Sequence, residues 1–198
     1  MVDFDKIDFI LCEEIGRLFV DASRKGYDSE SFVKTFMNSD VARYMDKRNN
    51  FYQWAGKKYL LETMEDDYKD SLKQANKETD ENMLFWVGYI YRYWHYYTGE
   101  NSKEIYKIAP YKTMRGAYIA YHTLSCEMAI ERLKEAYNSY TKWNSHFASK
   151  ALAIFLSFSK DGFPIPLSIL EISAWSIPDS LDNWTCVNPA FSLDLVIS

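Results

Sequence analysis

Residues 83–98 read MLFWVGYIYRYWHYYT, and this stretch decides the fold. Its side chains are apolar or aromatic nearly all the way round a helix, which is typical of a helix buried on most sides. The polar segment before it offers Thr79 or Asp80 as an N-cap, and Gly99 follows it at the position where helices commonly end. We therefore predict a central helix that ends at Gly99.

Apolar residues recur every three or four positions on both sides of this central helix. The pattern predicts a first helix over residues 4–22, a long one over about 51–76 with Trp54 on its inner side, and a last one from 125 to about 147. The sequence therefore predicts an all-α fold, a single bundle-like domain of six or seven helices around residues 83–98.

Aromatic residues are abundant: the chain has 16 Tyr, 12 Phe and 6 Trp. Each can bury about 150–250 Å², so a few of them on the central helix supply much of the burial that a core requires. Core building alone therefore explains the aromatic content. The alternative is an exposed aromatic groove that grips a partner.

The composition changes near residue 148. Of five prolines, only Pro110 precedes this point, and residues 149–198 have no arginine and many Ser, Ile, Leu and Phe. Prolines between its short apolar runs prevent this segment from forming one helix. We predict a helical domain over 1–148 and a C-terminal tail over 149–198 that is irregular, partly extended, disordered or translated from a foreign reading frame.

Charge and hydropathy exclude several classes of protein. The formal net charge is -5 and the pI is near 5.3, which disfavours nucleic acid and polybasic membrane binding. No apolar stretch reaches the roughly 18 residues of a transmembrane helix. The N-terminus has acids where a signal peptide needs basic residues. We expect a cytoplasmic protein that does not bind membranes.

The cysteines and histidines do not form a known metal motif. Cys12, Cys126 and Cys186 are odd in number and contain no CxxC pair, and the sequence has no HxxxH or HExxH. We predict no disulfide scaffold, no metal site and no cofactor. Cys12 and Cys126 are expected to be packed thiols, although a position near a helix N-terminus could lower the pKa of Cys126.

Arg115 and His122 are seven residues apart, two turns along a predicted helix, and so share a face. Such a helical pair resembles the active motif of HEPN-type ribonucleases, in which two such helices meet across a dimer. The resemblance implies acid–base chemistry for His122 and phosphate positioning for Arg115. Gly116 departs from it, because that family favours a polar residue there. The alternative is a structural arginine and a hydrogen-bonded histidine.

A second resemblance lies in YRYWHYYTGENSKEIYKIA (91–109), Thr113-Met114, YHTL (121–124) and AIERL (129–133). These strings resemble a family of uncharacterised small helical proteins of gut Firmicutes. Its members are encoded beside ADP-ribosyltransferase-like proteins in loci that resemble toxin–antitoxin modules. The resemblance supplies no catalytic residues. It implies a cytoplasmic partner or neutralising protein.

Two functions follow as hypotheses. The first is a non-enzymatic protein-interaction component, antitoxin-like or accessory, that binds a small protein partner through Arg92, Trp94 and Tyr97 near the end of the central helix. The second is a HEPN-like ribonuclease that uses Arg115 and His122 across a homodimer.

Overall fold

The computed structural model describes residues 4–75 and 79–160, with the backbone alone for Ala148 and residues 151–160. Over these residues the chain forms nine α-helices, one 3-10 helix (Lys69–Ser71) and no β-strand, which confirms the predicted all-α class. The helices are α1 (Lys6–Arg24), α2 (Ser29–Asn38), α3 (Asp40–Met45), α4 (Phe51–Trp54), α5 (Gly56–Asp67), α6 (Glu81–Thr98), α7 (Ser102–Ile108), α8 (Tyr111–Tyr121) and α9 (Cys126–Lys160).

The central helix is α6, as predicted. Asp80 caps it by accepting hydrogen bonds from two backbone N–H groups, and Gly99 ends it with a φ of 76°. A left-handed φ of this kind suits glycine because it has no Cβ. The buried residues of α6 are Met83, Leu84, Val87, Gly88, Ile90, Tyr91, Arg92, Tyr93, Trp94 and Tyr96.

The most extensive helix pairing in the described residues is that of α1 with α6, and it depends on two glycines. A Cβ built on Gly88 would lie 2.6 Å from the carbonyl oxygen of Ile15 and 2.9 Å from the Cα of Gly16. A Cβ on Gly16 would lie 2.8 Å from the side chain and the carbonyl oxygen of Phe85. The two backbones are therefore in direct contact where the helices cross.

The prediction of one long helix over residues 51–76 is wrong. This segment forms α4, α5 and the 3-10 helix in succession, and Gly56 has a φ of 75° at the first break. Because α4 is only four residues long, Trp54 does not continue the inner side of α5. Its side chain is 61% exposed, although the periodicity placed it inward.

The last helix extends further than predicted. It ends at Lys160, so residues 149–160 are helical where the composition suggested the start of an irregular tail. The prolines that prevent a helix begin only at Pro164, beyond α9. The first compact unit of the chain comprises Met1–Asn144. The rest of the predicted tail, residues 161–198, lies outside the described residues.

We predict that Gly88→Ala lowers the free energy of unfolding by about 1–3 kcal/mol, because the new methyl group meets backbone atoms that cannot move aside cheaply. Urea unfolding followed by circular dichroism measures this. Gly116→Ala is the matched control, since no atom outside α8 lies within 4 Å of its Cβ position. It should leave stability unchanged or raise it by up to about 1 kcal/mol. Equal stability of the two variants would contradict the direct backbone contact where α1 and α6 cross.

Candidate interaction surface

Arg92, one of the predicted partner anchors, lies in the core with a side chain that is 3% exposed. Its guanidinium donates hydrogen bonds to the carbonyl oxygen of Met45 over 3.0 Å and to the carboxylate of Asp46 over 2.7 Å. The same carboxylate accepts hydrogen bonds from the backbone N–H and the hydroxyl of Ser102, each over 2.8 Å. Arg92 therefore ties the central helix to the end of α3 and the start of α7.

His95 borders this ion pair. Its Nδ1 lies 2.8 Å from the carbonyl oxygen of Glu100 and 3.7 Å from the carboxylate of Asp46. Because a carbonyl oxygen only accepts, Nδ1 carries the hydrogen. Burial, and then the positive charge of Arg92, lower the pKa of His95 and outweigh the opposing effect of Asp46. His95 is therefore a neutral imidazole at pH 7.

Trp94 is completely buried. Its indole N–H donates a hydrogen bond of 2.6 Å to the carboxylate of Glu100, which also accepts from Thr98 and Lys134. Burial alone would raise the pKa of Glu100, but these hydrogen bonds lower it below the ordinary value. The indole is thus fixed at both its apolar ring and its polar edge.

These positions correct the predicted partner site. Arg92 and Trp94 cannot contact a partner on the surface of the folded chain, since both are buried and hydrogen-bonded internally. Because the central helix is apolar nearly all the way round, its sequence gave no indication of which side chains are buried in the fold. Tyr97 is half-buried, with its ring 6.5 Å from that of Tyr93, and its role stays a prediction.

Arg115 and His122 are both exposed. Arg115 lies on α8, and His122 is the C-cap residue that follows the end of α8 at Tyr121. The Nδ1 of His122 donates a hydrogen bond of 2.8 Å to the carbonyl oxygen of Tyr118, and the two rings are 4.7 Å apart. The exposure that the ribonuclease alternative requires is present at both positions.

Arg115 also lines a cavity of about 460 Å³ between the starts of α2 and α6 and one side of α8. Three carboxylates, those of Asp28, Glu30 and Asp80, line the same cavity as this guanidinium. This balance disfavours the binding of a phosphate backbone. The described residues that line the cavity are Asp28, Ser29, Glu30, Thr79, Asp80, Met83, Tyr111, Arg115, Tyr118 and Ile119.

A separate group of aromatic side chains is exposed where α3, α4 and α5 meet. The rings of Tyr44 and Tyr52 stack 5.5 Å apart, and those of Phe51 and Tyr59 meet edge to face at 5.5 Å. Phe51 is 64% exposed and Tyr59 is 42% exposed, and Trp54 on the same short helix is 61% exposed. We call these five residues the aromatic surface.

The aromatic surface is held by groups in the core beneath it. Asn49 turns the chain with a φ of 61°, and the side chain of Asn50 caps α4. The buried amide of Gln53 donates a hydrogen bond of 2.9 Å to the carbonyl oxygen of Met45, which Arg92 also binds. One carbonyl oxygen thus joins the central helix to the segment that carries the exposed rings.

The sequence contained a weak signal for this surface. Asn49-Asn50 precedes α4 and Gly56 follows it, so two turn-forming sites lie within eight residues. Side chains on so short a helix have little neighbouring surface on which to be buried. The periodicity of the residues after Gly56 obscured the break.

The two described cysteines are poorly suited to nucleophilic chemistry. Burial raises the pKa of Cys12 to about 12. Burial and the nearby carboxylate of Glu127 raise the pKa of Cys126 to about 11, so the suggestion that a helix N-terminus lowers it is wrong. Cys186 lies outside the described residues.

Side chains are described for residues 4–75, 79–147, 149 and 150. In that part of the chain, no three His, Cys, Asp or Glu side chains are grouped so as to hold a metal ion. No helix there combines the length and the apolar character needed to cross a membrane.

Comparison of the chain with protein families, with curated proteins and with solved structures found no match.

We predict that the lowered pKa of His95 makes stability fall with acidity. Below about pH 6.5, the ordinary value, the unfolded chain binds a proton that the folded chain does not yet bind. The contribution of His95 to the free energy of unfolding is fully present above this pH, and it is lost as the pH falls towards the pKa of His95 in the folded chain. Urea unfolding at a series of pH values measures the loss.

His95→Asn keeps a donor for the carbonyl oxygen of Glu100 but cannot titrate, so its stability should vary less over this range. His122→Asn removes an exposed imidazole as the matched control, and it should follow the wild-type curve. A wild-type curve that is flat below pH 6.5, or one that His95→Asn leaves unchanged, would refute the assignment.

We predict that Cys12 and Cys126 react slowly with iodoacetamide at pH 8, because only the thiolate is nucleophilic and both groups stay protonated. The measurement uses the Cys186→Ser variant and peptide mass spectrometry, with the urea-unfolded chain as the reference. Labelling of Cys126 in the folded chain as fast as in urea would contradict the raised pKa.

Proposed function

We propose that the chain is a non-enzymatic protein-interaction component and that a small protein partner docks on the aromatic surface. The observation that carries the proposal is the exposure of Phe51 and Trp54, each above 60%, on a short helix where the ring of Tyr52 contacts those of Tyr44 and Tyr59. Tryptophan and tyrosine are enriched among the residues that dominate protein interfaces.

The rigidity of this surface supports the proposal. Its rings come from three helices, and Tyr44 and Tyr52 stack with an angle of only 6° between their planes. Gln53 and Arg92 hold the segment from below through the carbonyl oxygen of Met45. A surface ordered before binding loses little conformational entropy when the partner docks, which improves affinity.

The biological role within this class is an antitoxin-like or accessory subunit of a toxin–antitoxin-type pair. It rests on the resemblance of residues 91–109 and the shorter strings after them to proteins from such loci. An accessory or neutralising subunit needs a stable surface for its partner and no catalytic groups of its own.

The HEPN-like ribonuclease is the second candidate because Arg115 and His122 are both exposed. The bond from Nδ1 of His122 to Tyr118 leaves Nε2 as the nitrogen that could exchange a proton. The carboxylates of Asp28, Glu30 and Asp80, which line the same cavity as Arg115, weigh against it, since they repel a phosphate.

The experiment is affinity capture from lysate of the source organism with three forms of the full chain: wild type, Phe51→Ala/Trp54→Ala and Arg115→Ala/His122→Ala. We expect wild type and the Arg115/His122 variant to recover the same small protein. The Phe51→Ala/Trp54→Ala variant should bind that purified protein at least about tenfold more weakly, as measured by calorimetry. A tenfold change in Kd corresponds to about 1.4 kcal/mol of binding free energy.

Two results would refute the proposal. One is a partner that binds the Phe51/Trp54 variant as tightly as wild type while both remain folded by circular dichroism. The other is RNA cleavage by the purified wild-type chain that the Arg115/His122 variant lacks, which would establish the ribonuclease instead.

A further inference from the structure

We infer that the partner segment seated on the aromatic surface is acidic and carries an apolar side chain among its carboxylates, an inference that rests on the proposed function. The juxtaposition behind it is a cluster of cations on the segment that carries the exposed aromatic side chains, two of which, Arg43 and Lys47, lie against the ring of Tyr44. Residues 43–59 contain five cations and one acid, in a chain whose net charge is -5. The one acid is Asp46, which is buried against Arg92.

Three of these cations are available to a ligand. Lys47 lies 5.4 Å from the ring centroid of Tyr44, and none of the ion pairs found among the described residues includes it. Arg48 and Lys58 are 72% and 91% exposed, and each is 3.9 Å from its nearest carboxylate. The Lys58–Glu62 pair is exposed at both ends and contributes little, so a bound carboxylate can replace it. Arg48 lies beside the buried carboxylate of Asp8, but its own side chain stays open to solvent.

The other two cations are already engaged. Arg43 lies 2.8 Å from the carboxylate of Asp40, and Lys57 lies 2.6 Å from that of Asp21. The segment therefore offers three exposed positive charges, and one of them, that of Lys47, lies against a ring of the aromatic surface. Each charge suits one carboxylate, while Phe51 and Trp54 contact an apolar side chain between them.

Acids at the edge of this surface favour a peptide over other polyanions. Asp40 and Glu62 have side chains that are 65% and 52% exposed. A membrane presents a plane of headgroups and would press against both acids, and a nucleic acid carries a charge at every phosphate. A peptide can place its carboxylates opposite Lys47, Arg48 and Lys58 and leave uncharged residues opposite the acids.

The test is a selection of random phage-displayed peptides on the full chain, after which each enriched peptide is assayed for binding to Phe51→Ala/Trp54→Ala. We expect the enriched peptides to be net negative and to contain Trp, Phe or Leu. A synthetic copy of one should bind Lys47→Glu/Lys58→Glu at least tenfold more weakly than wild type. Its binding should also weaken as ionic strength rises.

The matched control is Lys103→Glu/Lys107→Glu, which makes the same charge change at two exposed lysines of α7 and should bind like wild type. Enriched peptides that need Trp54 but are neutral or basic would overturn the inference and leave the proposed function standing. Peptides that bind the Phe51/Trp54 variant equally well would overturn both.

Two other polyanions serve as competing probes: vesicles of phosphatidylserine and phosphatidylcholine, and an oligothymidine strand. Neither should bind as tightly as the selected peptide. Tighter binding of either, lost in both the Phe51/Trp54 and the Lys47/Lys58 variants, would overturn the inference in favour of a lipid or a nucleic-acid ligand.

Discussion

The rest of the structure depends on the contact between the backbones of α1 and α6. Gly16 and Gly88 let the two helices touch at their crossing, since a Cβ on Gly88 would lie 2.6 Å from a carbonyl oxygen. This approach buries one side of α6 and fixes its rotation. Once that rotation is set, Tyr93 faces the start of α1, where it stacks on Phe4, and Arg92 reaches the end of α3.

Arg92 links the central helix to the segment that carries the exposed rings, because it and Gln53 both bind the carbonyl oxygen of Met45. A buried ion pair often contributes little more stability than well-packed apolar residues of similar volume would. Its contribution here is geometric, because the guanidinium fixes the carbonyl oxygen of Met45 and the carboxylate of Asp46. The loop that leads to α4 begins at these residues. The sequence-based prediction was that Arg92 contacts the partner directly. In the structure Arg92 is buried and contacts the carbonyl oxygen of Met45 instead.

Local sequence signals predicted the elements that depend on local physics. The buried central helix follows from residues 83–98, and its two ends follow from Asp80 and Gly99. The sequence could not show that Arg92 and Trp94 point inward, because a helix that is apolar all round has no periodicity to mark its exposed side. That orientation depends on the contact at Gly88, which is a tertiary constraint.

The prediction that Trp54 lies on the inner side of a helix failed for a different reason. Spacing from Trp54 to Leu61 fits a helix, but Gly56 adopts a φ of 75° and begins a new one. A single glycine within a periodic pattern does not reveal whether it ends a helix. The exposed fraction of Phe51 and Trp54 follows from that break and not from their hydrophobicity.

The states of the described titratable groups support the proposal of an interaction surface over the ribonuclease alternative. Catalysis needs a group whose pKa is shifted towards its working pH and whose neighbours assist the reaction. Here burial moves the pKa of Cys126 away from neutrality, and it keeps His95 neutral while its Nδ1 bonds a backbone carbonyl. Arg115 lines a cavity together with three carboxylates. The aromatic surface, by contrast, combines the exposed side chains of Phe51 and Trp54 with exposed lysines on the same segment, the kind of surface that the proposed partner binding requires.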